Sequence, residues 1–400
     1  MSVTAAQGFV AGGLASGIKE SGDADLAIVA TANAASGTAA GVFTTNLATA
    51  PPVLVSREHL RDGHASAVVL NSGNANAATG APGRRDAERM CELTGAGLGV
   101  DPADVLVCST GLIGIPLPMA PIEAGIPKLV TALAGGETGG DAAAVAILTT
   151  DTVPKEAVAT FEVDGVTITV GGMAKGAAML SPAMATMLAV LTTDAAVEPR
   201  ALHTALADAV DGSFHELLID GCTSTNDTVL VLANGAAMTG GPPIGLGGSA
   251  FHAFADAVAE VCASLAVQMA SDAEGATKLA RVHVHGARTA ADARLAARAV
   301  AGSQLVQCSL NGEDPYWGRV LSELGASGAA LDPDRVDIAY NGIVVCRDGI
   351  AADHDVATVA AGMTRRDIDI ACELHLGRGE ATVVFTDLSY GYIDENRGTS

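Results

Sequence analysis

Aromatic residues are scarce: Phe, Tyr and Trp make up 3% of the 400 residues, with a single Trp. The core must therefore be filled by Val, Leu, Ile, Ala and Met, which a hydrophobic content of 49% supplies. Charge is also sparse, at 17%, and one-sided, with 22 Lys plus Arg against 45 Asp plus Glu. A net charge of −23 argues against a nucleic-acid or anionic-membrane surface and reads as a solvated acidic exterior. The seven cysteines include no C-x-x-C pair. An odd, unpatterned set fits reduced thiols in a cytoplasm rather than a disulfide framework. No apolar run reaches the length of a membrane span. Met1-Ser-Val-Thr-Ala-Ala-Gln7 has no basic stretch leading into an apolar one, so no secretory signal is expected.

Four hundred residues exceed one typical domain, so one large or two smaller units with ample core are expected. Ala39–Thr45, Ala65–Leu70 and Val105–Ser109 read as buried strands, and Arg85–Thr94 as a helix. A helical period covers 116–134. The glycine-rich 135–140 lacks the Gly-Lys-Ser/Thr of a phosphate loop and reads as a linker before a short helix capped by Asp141. Ala157–Val170 alternates about Asp164-Gly165, the signature of a type I′ hairpin. Helices are expected over 198–210 and through the apolar stripe from Phe251 to Met269, with a strand at Asp227–Leu232 between them. Beyond Leu279 the order reads strand, helix at Ala290–Val300, strand, helix at Trp317–Leu324, then strands, with a second hairpin at Asn341-Gly342. His283-Val-His285 is the one metal-like spacing. With no Asp or Glu at ligand spacing, it reads as two histidines on a solvated strand face.

The chain is organised around Met173–Leu191, a run of small and apolar residues holding one lysine, Lys175, and one threonine, Thr186, followed by the buried strand Leu188–Leu191. On local grounds Thr186 is a β-former packing its methyl group. The sharper reading makes it a nucleophile, which requires an adjacent base. Its own α-amine serves if the chain is cut between Ala185 and Thr186, and the small Ala185 leaves room for that self-attack. Thr110-Gly111, at the end of the third strand, offers a hydroxyl and an unhindered N–H close together. An oxyanion needs such a pair, although most Thr-Gly dipeptides are turns.

Met173–Leu191 resembles the self-cleavage site of the ornithine acetyltransferases, also called glutamate N-acetyltransferases. Asn71-Ser-Gly-Asn-Ala-Asn-Ala77, Cys108-Ser-Thr-Gly-Leu-Ile-Gly114, Thr149-Thr-Asp-Thr-Val-Pro-Lys155, Ser224-Thr-Asn-Asp-Thr228, Asp272-Ala-Glu-Gly-Ala-Thr-Lys278 and Asp314-Pro-Tyr-Trp-Gly-Arg319 resemble family blocks in family order. They span nearly the whole chain. The last block departs from the family at Tyr316, and a structural role is expected for it.

The resemblance implies an α/β fold: a layered αββα-type sandwich with an N-terminal-nucleophile-like site over 1–278, and a smaller α/β lobe over 279–400 whose tail returns to the site. It implies cleavage into an α chain, 1–185, and a β chain, 186–400, associated as a heterotetramer or larger. Thr186 would take an acetyl group from N-acetylornithine, release ornithine and pass the group to glutamate. The scheme is ping-pong, needs no cofactor or metal, and admits acetyl-CoA as a further donor. Thr110 and Gly111 would form the oxyanion hole. Thr152, Lys175, Glu274, Asn396 and Ser400 would line the amino-acid site with Thr186, Thr399 being the alternative to Ser400. A self-processing amidase or aminopeptidase using water, and a non-catalytic α/β binding protein with Thr186 in its core, are the competing readings.

Overall fold

The computed structural model describes residues 2–33, 35–178, 187–238 and 240–398. The expected cleavage pair Ala185 and Thr186, and the tail hydroxyls of Thr399 and Ser400, lie outside the described residues. The chain divides into two compact units, one of residues up to 178, 187–215 and 222–269, the other of 216–221 and the chain from Ala270.

The first unit opens with strands β1 (Phe9–Leu14), β2 (Leu26–Thr31) and β3 (Gly37–Phe43), helix α1 (Pro51–His59), and strands β4 (His64–Ala65) and β5 (Ala67–Asn74). Helix α2 (Gly80–Leu98), strand β6 (Val105–Leu112) and helices α3 (Met119–Ala132) and α4 (Gly136–Ala146) follow. The hairpin β7 (Lys155–Val163) and β8 (Val166–Lys175) leads to β9 (Leu188–Thr193) and α5 (Pro199–Asp211). After β10 (Leu217–Leu218), which belongs to the second unit, come β11 (Thr228–Ala233) and the long α6 (Gly248–Ser271).

Two sheets result, ordered β1-β2-β5-β6 and β4-β3-β11-β9-β8-β7. Strand pleating sends successive side chains to opposite faces, and both faces are covered. Val29, Leu70 and Leu106 of one sheet join Met173, Val190 and Leu230 of the other in one core. Their neighbours Ile28, Val69 and Val107 pack outward with Met90 of α2 and Ile122 and Ile126 of α3. On the second sheet α5 lies against β3 and β11. There α6 comes so close to β8 that a Cβ on Gly172 would meet Val261 Cγ1 at 2.9 Å. The unit is thus an α/β/β/α sandwich. Burial on both faces explains why β2, β9 and β11 are apolar or small throughout. Asp164 and Gly165, at φ +52° and +79°, make the expected hairpin turn between β7 and β8.

Two expectations of local structure fail. The glycines of 135–140 are not a linker: from Gly136 they form the first turns of α4. A Cβ on Gly139 would lie 2.0 Å from Ala134 O, and one on Gly140 would strike the Ser2 hydroxyl. Close packing, not flexibility, selects glycine there. The strand expected after Val300 is instead a helix, described with the second unit. There a local signal, the capping Ser303, outweighs the short apolar run that reads as a strand.

In the second unit, β12 (Leu279–Ala287) leads through α7 (Ala290–Ala301), α8 (Gln304–Asn311) and α9 (Trp317–Ala326) to β13 (Asp337–Tyr340), β14 (Ile343–Arg347) and β15 (Ile350–Ala351). Helix α10 (Val356–Met363), β16 (Asp367–Glu373), β17 (Gly379–Thr386) and α11 (Tyr390–Glu395) complete it. Helix α8 is capped by Ser303, whose hydroxyl accepts the Val306 N–H. The seven strands run β10-β17-β12-β16-β13-β14-β15. Ala297, Val300, Leu310 and Leu324 pack with Val282, Ile370 and Phe385 in one core. The opposite side chains of β12 and β16 are more exposed: Arg281, His283, Asp367 and Asp369. His283 lies 3.4 Å from Asp369, and His285 3.7 Å from Glu380. These acids come from neighbouring strands and were invisible to sequence spacing. Even so, no group of three or more His, Cys, Asp or Glu suited to a metal occurs among the described residues.

Candidate active site

Parallel β5 and β6 end together, with Ser72 beside Thr110 and Gly73 beside Gly111. Gly111 sits at φ +130°, where a Cβ would lie 2.3 Å from the Gly73 carbonyl carbon, so only glycine fits. Thr110 is buried. Thr110, Gly111, Ala75, Ile113, Ser224, Thr225 and Asn226 line a cavity of ≈ 30 Å³. That volume suits one small polar group, such as a carbonyl oxygen. Asn226 fixes its wall: Nδ2 donates to Ala75 O at 2.6 Å and to Ser109 O at 2.9 Å, tying the start of β11 to the ends of β5 and β6.

Lys175 ends β8 with only 2% exposure, which excludes a surface charge. Nζ donates to Thr149 Oγ1 at 2.7 Å and to Thr110 Oγ1 at 3.4 Å, and lies 3.6 Å from Asp151. Asp151 also accepts from Lys155 Nζ and from the Gly176 N–H, both at 2.7 Å. Burial alone would raise the Asp151 carboxyl, but the Lys175 and Lys155 ammoniums outweigh it and hold it well below the usual carboxylate range. The carboxylate is therefore ionised at working pH. The trio of Lys155, Lys175 and Asp151 carries two positive charges against one negative, a buried site biased toward anions. Thr152, expected in the amino-acid site, is exposed one residue beyond Asp151.

Asp151→Ala would leave two buried ammoniums facing each other without this counter-charge. Removing one partner of a buried pair costs about 3–5 kcal/mol. The expected result is a large fall in the urea midpoint, measured by circular dichroism, with the slope of the transition unchanged.

In the second unit Glu274 is buried, and its Oε2 accepts from Asn396 Nδ2 at 2.7 Å. Two expected substrate ligands 122 positions apart thus meet. The contact depends on Gly275, at φ +61°, where a Cβ would lie 2.1 Å from Tyr392 N. Helix α11 can therefore rest on the loop, aided by Ser389 Oγ donating to Gly275 O at 2.5 Å. Asp387 holds the rest of the loop through the Thr277 and Lys278 N–H groups, each at 2.8 Å. Trp317 of the Asp314–Arg319 block packs against the hydrophobic core of this unit, as its structural reading expects.

Among the expected residues, Thr110, Gly111 and Lys175 converge in the first unit, and Glu274 and Asn396 in the second. The sequence assigns no role to Thr149, Asp151, Lys155, Asn226 or Asp227, although each lies inside one of the family-like blocks. For Lys155, Asn226 and Asp227 the available signal is a charged or amide side chain at the start of a buried strand; Thr149 and Asp151 lie in the segment before β7 and carry no such signal.

Curated relatives agree along the full length. The chain is 49% identical over 394 residues, 98% of itself and 97% of the relative, to the arginine biosynthesis bifunctional protein ArgJ of Symbiobacterium thermophilum. It is 48% identical over 403 residues to that of Mycolicibacterium paratuberculosis, covering 100% and 96%. Among solved structures, ArgJ from Bacillus halodurans aligns with 52% of this chain and 98% of its own at 31% identity and a TM-score of 0.49. Ornithine acetyltransferase complexed with ornithine, from Mycobacterium tuberculosis, aligns over 46% and 95% at 42% identity and a TM-score of 0.41. The protein is an acyltransferase of arginine biosynthesis. The chain belongs to the ArgJ family, which matches residues 10–398.

Proposed function

We propose that the protein carries acetyl groups from N-acetylornithine to glutamate through an acetylated Thr186. The observation that carries this reading is the buried Lys175 ammonium bonded to Thr110, next to the positive-φ Gly111. Because Thr110 Oγ1 accepts from Lys175, its own proton is available to an oxyanion, alongside the Gly111 N–H. Self-attack by Thr186 on the Ala185 carbonyl gives an ester that water hydrolyses, freeing the threonine amine. A free α-amine has a pKa of about 8 and accepts the hydroxyl proton at working pH. Thr186 Oγ1 then adds to the acetyl carbonyl, and ornithine leaves with that proton. Glutamate's amine attacks the acetyl ester in the reverse sense. Acetyl-CoA is an alternative donor, in keeping with the bifunctional relatives. Thr152, Lys175, Glu274, Asn396 and Ser400 hold the amino-acid portions.

The two fragments stay together because β8 and β9 pair across the cut, with Lys175 opposite Leu188. They assemble as a heterotetramer or larger, in the cytoplasm. A denaturing gel with N-terminal sequencing tests the cut: two fragments, the second beginning at Thr186, are expected. Product analysis tests the acceptor. N-acetylglutamate supports the transferase, whereas acetate alone would mark a hydrolase.

Glu274 supplies a second test. One pocket serves both half-reactions, so it must read the amino-acid part that ornithine and glutamate share, with Glu274 facing the ammonium. Glu274→Ala should lose about 1.5–3 kcal/mol of charge-assisted binding, roughly one to two decades in kcat/KM for both substrates. Initial rates should give parallel lines with both slopes raised, and self-cleavage should be unimpaired. A loss confined to one substrate would separate the two sites.

A further inference from the structure

Met187, the residue that follows Thr186, is held at both backbone groups by the start of β11. Its N–H donates to Asp227 Oδ1 at 2.8 Å, and its carbonyl accepts from the Thr228 N–H at 3.2 Å. Parallel pairing continues the grip, with Thr228 beside Leu188 and Val229 beside Ala189. Asp227 itself is wholly buried, and its carbonyl accepts the Thr44 N–H at 2.9 Å. Among the described residues the second carboxyl oxygen, Oδ2, is buried without a hydrogen-bond partner, an arrangement costly enough to need a reason. Asn226, one residue earlier, ties the same corner to the oxyanion strands.

We propose that Asp227 is a positioning residue for the nucleophile, holding the peptide that leaves Thr186 in line with Thr110 and Gly111 through both self-cleavage and acyl transfer. This rests on Thr186 being the nucleophile. The peptide bond between residues 186 and 187 is planar. Holding the Met187 N–H therefore restrains that whole peptide group at the point where the chain enters β9. Self-cleavage needs this most, because the hydroxyl must turn back on the preceding carbonyl. The grip needs an acceptor rather than a charge. Burial pushes the Asp227 carboxyl well above the usual range, an effect that the Met187 N–H and the Lys175 field only partly offset; the Ser224 hydroxyl lies near enough to favour the charged form but makes no hydrogen bond of good geometry to Oδ2. An asparagine should therefore replace it, its amide oxygen taking the Met187 N–H and its NH2 standing at Oδ2.

The test measures self-cleavage over time and steady-state kinetics for Asp227→Ala, Asp227→Ser and Asp227→Asn beside wild type and Thr186→Ala. Asp227→Ala should cleave and turn over about ten- to a hundredfold more slowly, with KM within about threefold of wild type. Asp227→Ser, shorter but polar, should do the same and stands in if the alanine variant is insoluble. Asp227→Asn should retain cleavage and kcat within about threefold. Normal rates in the alanine or serine variant would overturn the proposal. So would a folded asparagine variant that neither cleaves nor turns over, since charge would then be the requirement. If wild type stays whole yet active, or if Thr186→Ala still cleaves, the nucleophile assignment fails instead.

Discussion

Thr186→Ala is expected to yield one uncut chain of 400 residues with no measurable acetyl transfer. The substitution removes the hydroxyl that attacks Ala185 and, with the cut, the amine that would act as base. Nucleophile and base disappear in one step, so the loss should exceed roughly 10⁴-fold in kcat. Fold should survive, because the sheet that receives residue 187 is built from β8, β9 and β11, which pair through their own backbone groups. Intact mass and circular dichroism check the chain and its fold, and an N-acetylornithine assay checks the activity. An intact wild-type chain with full activity would contradict the mechanism outright.

Thr110→Ala has the second-largest expected effect. The hydroxyl sits at the end of β6, polarised by Lys175 Nζ at 3.4 Å and lining the small cavity with Gly111. Its hydrogen bond strengthens only as the carbonyl oxygen becomes negative, so the loss should appear in kcat. About 10²–10³-fold is the usual cost of one such donor, or roughly 2.7–4 kcal/mol. KM for N-acetylornithine should change little, because the ground-state carbonyl barely uses the contact. Self-cleavage passes through an oxyanion as well. A slower appearance of the two fragments, followed on a gel, would show whether one hole serves both reactions. An effect confined to KM would remove Thr110 from this role.

Much of this protein is decided by residues acting on their neighbours. Asp164-Gly165 and Asn341-Gly342 each take positive φ and turn the chain back on itself, as their side chains predict. The apolar run of β9 and the stripe of α6 lie where their periodicities put them. Thr110, Gly111, Lys175 and Thr186 could be singled out because each breaks its surroundings: a hydroxyl, a glycine or a charge at the end of a buried strand.

What the tertiary structure alone decided is which of these residues meet. Lys175 and Thr110 lie 65 positions apart, Asn226 and Ala75 151, and Asn396 and Glu274 122. No local period encodes such distances. The first two follow from the packing of the two sheets of the first unit on one core, and the third from the loop at Gly275 that admits the backbone of α11. The same holds for Gly139 and Gly140: a linker by composition becomes a helix because β1 and the N-terminal segment press against it. Asp151 would be an ordinary surface acid by sequence. Burial beside two lysines makes it the counter-charge on which the site depends, because low polarity strengthens paired charges and penalises unpaired ones.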